Sequence, residues 1–378
     1  MNLFRNILML FIAVIFLDGC KDDDFPVPPA STVPQFTFII DNESTAPANV
    51  VFTNTSIVPV NAGIPDYTWS FGDNSFSKDV NPSHIFEKAG VYNVKLVVIT
   101  SVSNEIKEVT KTILVKDPNA SGVPVYFTNG TKIFRGLVNS QSPVMEQLPV
   151  SSIQGTYGMV IDTINSKLYI SDVDAGTIVQ SDLDGKNEKV FRSGIDTPNG
   201  LVIDYLNQQL YWDTSTGVQR ADLTNSDEHQ IEDFVTGQAN DPEDVAIDAL
   251  NRTLYWINYN GGIWMKNLDG SGEKEIIPLV EGGSILVVGN RIYFDFYNGS
   301  GDIQIKSADL DGGNIAVLAT GITRIVYGLD YEPSGKKIYW GDRNAGTIRR
   351  ANLDGSNAEA WYVAAGSSPR GIVFGKQP

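Results

Sequence analysis

Six residues of mixed chemistry each stand immediately before a short apolar run that recurs through the C-terminal part of the chain: Tyr157, Asn199, Glu243, Gly283, Tyr327 and Arg370. Five more follow a second recurring run: Asp174, Tyr259, Tyr297, Asn298 and Arg343. If the recurring units are arranged about one axis, both sets gather on one face. Two aromatics, an amide, an acid and a base around one opening make a polar and aromatic binding surface. Ring faces there can stack on the apolar faces of sugars, while Asn, Asp and Arg hydrogen-bond hydroxyls in the sugar plane. Gly283 leaves a gap in the ring. The plainer alternative is a packed opening with ordinary solvated loops, since every such arrangement must put something there.

Catalytic readings have less to build on. A glycosidase needs two carboxylates at a set separation, and so many Asp residues stand in turns that no particular pair is singled out. The chain has two histidines, His84 and His229. His229, in Asp227-Glu228-His229-Gln230, is predicted on an outer strand or loop far from the opening, and from the one histidine of the earlier segment, His84, no nucleophile, base and orienter can be assembled. A lactonase-like site would hold a cation such as Ca2+ on several oxygen ligands. Glu243 and Asn199 begin such a set, but no third ligand follows. The expectation is therefore no catalytic residue and no cofactor, with Ca2+ the one candidate ion.

Composition narrows the partners. The 378 residues carry 28 Lys and Arg against 45 Asp and Glu, a net charge of −17. Nucleic acid is disfavoured, because binding phosphates requires a basic surface. One cysteine and two histidines exclude a disulfide scaffold and a zinc site built from several Cys or His ligands. With 35 Gly and 18 Pro, the chain reads as turn-rich and mostly β.

The elements that position the candidate residues come from an internal repeat. Six units align on one tyrosine: Val125-Tyr126-Phe127, Leu168-Tyr169-Ile170, Leu210-Tyr211-Trp212, Leu254-Tyr255-Trp256, Ile292-Tyr293-Phe294 and Ile338-Tyr339-Trp340, spaced by 43, 42, 44, 38 and 46 residues. A turn such as Asp182-Leu183-Asp184-Gly185 or Asn352-Leu353-Asp354-Gly355 follows each later tyrosine. An apolar strand begins near Gly158, Gly200, Asp244, Ser284, Gly328 and Gly371. Units of this size cannot bury their faces alone, so they stack radially as propeller blades. The first unit lacks its leading strand and residues 370–375 are that strand without a unit, which predicts six blades closed by the C-terminus.

The Tyr-Trp-x-Asp pattern with its Leu-Asp-Gly turn resembles the YWTD propellers of low-density-lipoprotein receptors. Tyr169-Ile170-Ser171-Asp172 and Tyr339-Trp340-Gly341-Asp342 fit well, and Asn258 and Asn129 stand for the acid in two further units. Thr214 and Phe296 occupy the acidic position in the remaining two. The resemblance implies that this acid ties blades together. Earlier in the chain, Tyr67 to Asn74 (YTWSFGDN), Asn81 to Phe86 and Gly90 to Val94 resemble the polycystic-kidney-disease (PKD) domain. That likeness implies a β-sandwich in which Trp69 is core, Gly72 and Asp73 form a turn and His84 packs, and it implies a spacer or carbohydrate-contacting module.

At the N-terminus, Arg5 precedes an apolar run from Ile7 to Leu17, too short to span a bilayer, and Cys20 closes the segment. This resembles a lipoprotein signal, with Cys20 the lipidated residue. Lys21-Asp22-Asp23-Asp24 resembles the acidic export tag of Bacteroidota-type surface lipoproteins, and Pro26, Pro28, Pro29 and Pro34 form a stiff spacer. The expected organisation is a signal peptide (1–19), a lipidated Cys and Pro-rich linker (20–34), a PKD-like sandwich (35–116) and a six-bladed propeller (123–378). The expected location is the outer membrane, lipid-anchored and facing outward, as a monomer or within an outer-membrane assembly. The expected partner is a glycan or, alternatively, a surface protein, with no nucleic acid and no membrane contact beyond the lipid. A metal-dependent lactonase or lyase is the second alternative.

Overall fold

The computed structural model describes residues 31–41, 44–115, 122–138, 143–278, 280–297, 299, 301–363 and 366–375. The signal peptide, Cys20, the acidic tag, most of the linker and Asn298 lie outside the described residues. The described chain is β-structure without α-helix and divides into two compact units.

The first unit is a sandwich. One sheet runs in the order Phe36–Ile40, Ala48–Asn54, Ser83–Phe86, and the other Phe76–Ser77, Pro65–Ser70, Gly90–Thr100, Ile106–Val115. Alternation decides which face is buried: Ala48, Val50 and Phe52 point inward while Val51 and Thr53 point out. Trp69 is fully buried against Phe36 and Phe52, with ring centroids at 5.0 and 5.3 Å, and its indole N–H donates to Asp79 O at 3.0 Å. Gly72 holds φ +86 where a Cβ would press on the Asn93 backbone, so the Gly-Asp turn is structural.

The second unit is a six-bladed propeller of four-stranded antiparallel sheets. The innermost strands of blades 2 to 6 are Met159–Asp162, Leu201–Asp204, Pro242–Asp248, Ile285–Val288 and Leu329–Glu332. Blade 1 takes its innermost strand from the far end of the chain: Pro369–Phe374 pairs antiparallel with Pro124–Asn129, Ile372 opposite Phe127 and Val373 opposite Tyr126. The predicted closure is the one observed.

The repeated tyrosine holds the blades together. Side chains alternate along the second strand of each blade, so the tyrosine faces the next blade while the residue after it faces back. Tyr169 of blade 2 is buried among Leu201, Ile203 and Trp212 of blade 3. Tyr211 lies among Val245, Leu254 and Trp256 of blade 4, Tyr255 among blade 5 residues and Tyr293 among blade 6 residues. Tyr339 closes the circle by packing with Val125, Phe127 and Ile372 of blade 1, its ring 4.8 Å from that of Phe374. The Leu-Asp-Gly turns dock backward: Gly355, at φ +83, leaves no room for a Cβ against Leu318 of the preceding blade.

Removing residues 369–378 strips Ile372 from the core and leaves Pro124–Asn129 as an open edge. The whole propeller should then lose its cooperative melt rather than fray at one blade, and a truncated chain that melts as sharply and as high as the intact one would refute the closure role. Tyr339→Ala should cost about 3–5 kcal/mol, the range for truncating a buried aromatic, in urea unfolding.

Candidate functional site at the channel mouth

The mouth is built by register. In the Tyr-x-x-x tetrad of each second strand, the third residue lies on the tyrosine's side and the fourth on the opposite side. The fourth residue binds the loop that enters its own blade: Asp172 accepts from Gln154 N and Gly155 N at 2.8 and 3.0 Å, Asn129 from Ser368 N at 2.9 Å and Asp342 from Thr323 N at 3.1 Å. Blades 3 and 5, where Thr214 and Phe296 take that place, carry their acid one residue earlier. Asp213 accepts from Gly200 N at 2.6 Å and Asn199 N at 3.2 Å. Asp295 accepts from Gly283 N, Ser284 N and, across to blade 6, Val326 N at 2.8–2.9 Å. The shifted carboxylates are fully buried and fix the backbone of the mouth itself. Sequence reading missed them, although the one-residue displacement of the acid was the available signal.

Below the mouth the inner strands enclose a channel of about 180 Å3. Equivalent positions Val160, Val202, Ala246, Leu286 and Val373 line it, and Asp330 replaces the aliphatic in blade 6. Asp330 accepts from Tyr331 N at 2.7 Å and from Phe374 N of the closing strand at 3.0 Å.

Most of the expected ring comes together. Tyr157 and Tyr327 meet edge to face with centroids 4.6 Å apart. The Arg370 guanidinium lies 4.0 Å over the Tyr157 ring and that of Arg343 4.4 Å over Tyr327. On the other side, Asn199 Nδ2 donates to Glu243 Oε2 at 3.1 Å and to Asp213 Oδ2 at 3.3 Å. Tyr259 stands on the loop after the blade 4 tyrosine strand, where its backbone N–H donates to Asp241 O at 2.7 Å.

Several expectations need correcting. One face of each tyrosine is covered by an arginine and is not free for sugar stacking. Gly283 is no gap: a Cβ there would meet Tyr327 Cε1, Ile325 Cγ2 and Val326 O at 2.8 Å, so Tyr327 already occupies that space. Tyr297 packs against the core shared by blades 5 and 6 and pairs with Glu281 through its backbone. Asp174 is exposed and sits over Gly155. His229 is exposed beside Ser193 and Glu228. In the sandwich, His84 stacks on Phe71 and pairs with Asp73 at 2.7 Å, while Ser75 bonds the same carboxylate. Asp73 and Ser75 both approach His84 Nε2, which is not the two-sided arrangement of a nucleophile, base and orienter.

Electrostatics divide the mouth in two. Burial, then the neighbouring Asp241, Asp295 and Asp244 carboxylates, push Glu243 up to about 8. Burial raises Asp244, Asp295 and Asp330 to about 7, and burial with Glu243 and Asp244 lifts Asp213 well above the carboxylate range. Glu243 and Asp213, on blades 4 and 3, thus bind their protons more tightly than free carboxyls, while Arg343 and Arg370 lie over Tyr327 and Tyr157 on the other side. Among the described residues, no three His, Cys, Asp or Glu side chains are grouped to hold a metal ion.

The fold and mouth are those of a PKD-type sandwich followed in sequence by a six-bladed propeller. Residues 31–115 match the PKD domain family. In the same class of likeness, collagenase ColA of Bacillus cereus is 39% identical over 61 residues, 16% of this chain, and collagenase ColQ1 of Bacillus cereus strain Q1 is 44% identical over 54 residues, 14% of this chain. The chain spans only 6% of either collagenase. A solved nidogen/laminin complex contains a chain similar at TM-score 0.59 and 16% identity, over 68% of this chain and 99% of that one. A putative TolB from Agrobacterium tumefaciens is similar at TM-score 0.50 and 12% identity, over 65% and 91%. At these identities the solved structures establish the fold.

The raised carboxyls give a pH prediction. Unfolded, such groups titrate near 4, so the folded chain holds protons that the unfolded chain releases. The stability this contributes is full below about pH 4 and lost as pH climbs through 7 and 8. The propeller should melt lower at pH 8.5 than at pH 5.5, with Glu243→Gln narrowing the difference. A melting temperature that is flat or rises over that interval would contradict these assignments.

Proposed function

We propose that this chain is a non-enzymatic surface lipoprotein, anchored in the outer membrane through a lipid on Cys20, whose propeller mouth captures a glycan while the PKD-type sandwich serves as its spacer. The observation that carries the reading is the mouth itself. An Asn-Glu pair faces two arginine-on-tyrosine stacks across one opening, above a channel of about 180 Å3. Such an opening offers donors and acceptors at several angles, as sugar hydroxyls require. Binding is favoured over hydrolysis because Asp213, Asp244 and Asp295, three of the acids around Glu243, are engaged by backbone N–H groups. The anchor rests on the apolar run before Cys20 and the acidic tag after it.

A protein partner is the second reading, and a separate observation favours it. At the channel end away from the mouth, the turns after three successive inner strands expose an aliphatic at the same position: Ile164 at 58%, Leu206 at 75% and Leu250 at 90%.

Glycan arrays followed by calorimetry on the full chain in detergent test the first reading. Wild type should bind at least one glycan, and Tyr157→Ala with Tyr327→Ala should weaken it about tenfold or more, the scale of one lost hot-spot contact, at an unchanged fold by circular dichroism. Absence of any binding glycan, or binding indifferent to the double variant, would overturn it. A stoichiometric protein recovered from intact cells and lost on Leu206→Asp and Leu250→Asp would establish the second.

A further inference from the structure

Two arginines at the mouth have donors that the described chain does not use. Arg343 is 6% exposed. Its Nε donates to Ile325 O at 3.0 Å, and among the described residues its η nitrogens have no acceptor and no carboxylate partner. Arg370 gives Nη1 to Thr156 O at 3.2 Å, and its buried Nε has no partner. A guanidinium has five N–H donors in a planar fork, so most of both forks is unspent.

The pair also has no carboxylate within ion-pair distance among the described residues. Arg343 feels Arg370 and the exposed Arg324 as like charges. The rings beneath the two stacks meet edge to face, and the two guanidinium groups are close enough to act on each other as like charges. A buried cation without a counter-charge is costly, and cation-π contact with tyrosine returns only about 1–2 kcal/mol. Glu243 makes no ion pair with either arginine at 4.0 Å or less and retains its proton below about pH 8. What the geometry lacks is an anion from outside.

We propose that Arg343 and Arg370 form a subsite for the anionic group of an acidic saccharide, its uronate carboxylate or sulfate ester, with the sugar hydroxyls reaching toward Asn199 and Glu243. This rests on the glycan reading above and sharpens it. The planar forks suit a two-oxygen acceptor, and their stacking on Tyr157 and Tyr327 presets their orientation. The aromatics then act as supports for the arginines rather than as sugar platforms.

The test is calorimetry on the full chain in detergent with three sets of oligosaccharides: galacturonate, glucuronate and mannuronate oligomers; the same oligomers as methyl esters; and sulfated galactan oligomers. At least one acidic oligomer should bind, its neutral ester about 30-fold more weakly, as expected for charge-assisted hydrogen bonds, and affinity should fall with salt. Preference for uronate or sulfate identifies the source of the anion. Arg370→Gln and Arg343→Gln should each cost a comparable factor, with Arg370→Lys restoring part of it. Arg370 is only partly buried, so its variants remain informative if Arg343→Gln fails to fold. Neutral glycans bound as tightly as acidic ones would overturn this inference and leave the glycan reading standing. Failure of every glycan, neutral or acidic, would overturn both. Acidic binding unchanged in folded Arg370→Gln would overturn the subsite alone.

Discussion

The propeller depends on one contact repeated around the ring: a tyrosine on the second strand of each blade buried in the face of the next. A four-stranded blade has two apolar faces and can cover neither by itself. Because side chains alternate along a strand, the tyrosine and its successor serve opposite neighbours, so each blade is both inserted into and inserting. The contact has no natural end, and the chain resolves this by making its last strand the first blade's innermost. Tyr339 then meets Phe374 and Ile372 as Tyr169 meets Leu201 and Ile203, and no blade is left without its innermost strand.

The same alternation governs the polar groups. An acid at the fourth place of the tetrad binds the loop entering its own blade, and an acid at the third place shares the tyrosine's side and reaches the rim of the channel. Moving the carboxylate by one residue therefore moves its backbone partners to the residues just before the inner strand without changing the strand. Asp213 and Asp295 made that move. Their burial raises proton affinity on one side of the mouth, because a low-dielectric site disfavours the charged form even with backbone donors around it. Glu243 is raised first by its own burial and then by the Asp241, Asp295 and Asp244 carboxylates. Across the mouth, arginines lie over Tyr157 and Tyr327.

Much of this was legible in the residues. Tyrosine spacing and the phase of the inner strands predict six blades and their closure, because both follow from a repeat that sequence displays directly. The ring residues Tyr157, Asn199, Glu243, Tyr327 and Arg370 were legible for the same reason. What could not be read was side-chain reach. Arg343 and Arg370 come from different blades, and nothing in their spacing says that each will lie on a neighbouring tyrosine. Gly283 looks like a vacancy in an alignment, yet in space the absent side chain admits the Tyr327 ring. Tyr297 stands at the right distance from its repeat tyrosine but turns to the core between blades. Position in a repeat fixes where a backbone goes, while the occupant of the neighbouring blade decides where a long side chain ends.

A symmetric scaffold thus yields an asymmetric opening through substitutions at equivalent places. Six positions before the inner strands are identical in backbone role, and they hold two tyrosines, an amide, an acid, a glycine and an arginine. The glycine leaves room for the Tyr327 ring, that ring meets the Tyr157 ring edge to face, and each ring carries a guanidinium group over it. Each step is a consequence of size or charge at one residue, and none requires the fold to change. Charge separation across the mouth is then a property of the ring as a whole: protons are retained where carboxylates crowd in burial, and positive charge persists where arginine, which does not deprotonate in proteins, has taken the equivalent ground. A ligand with an anionic end and a neutral, hydroxylated body matches that division in both charge and hydrogen-bonding capacity, whereas a neutral ligand would leave the arginine forks as unspent as they are without it.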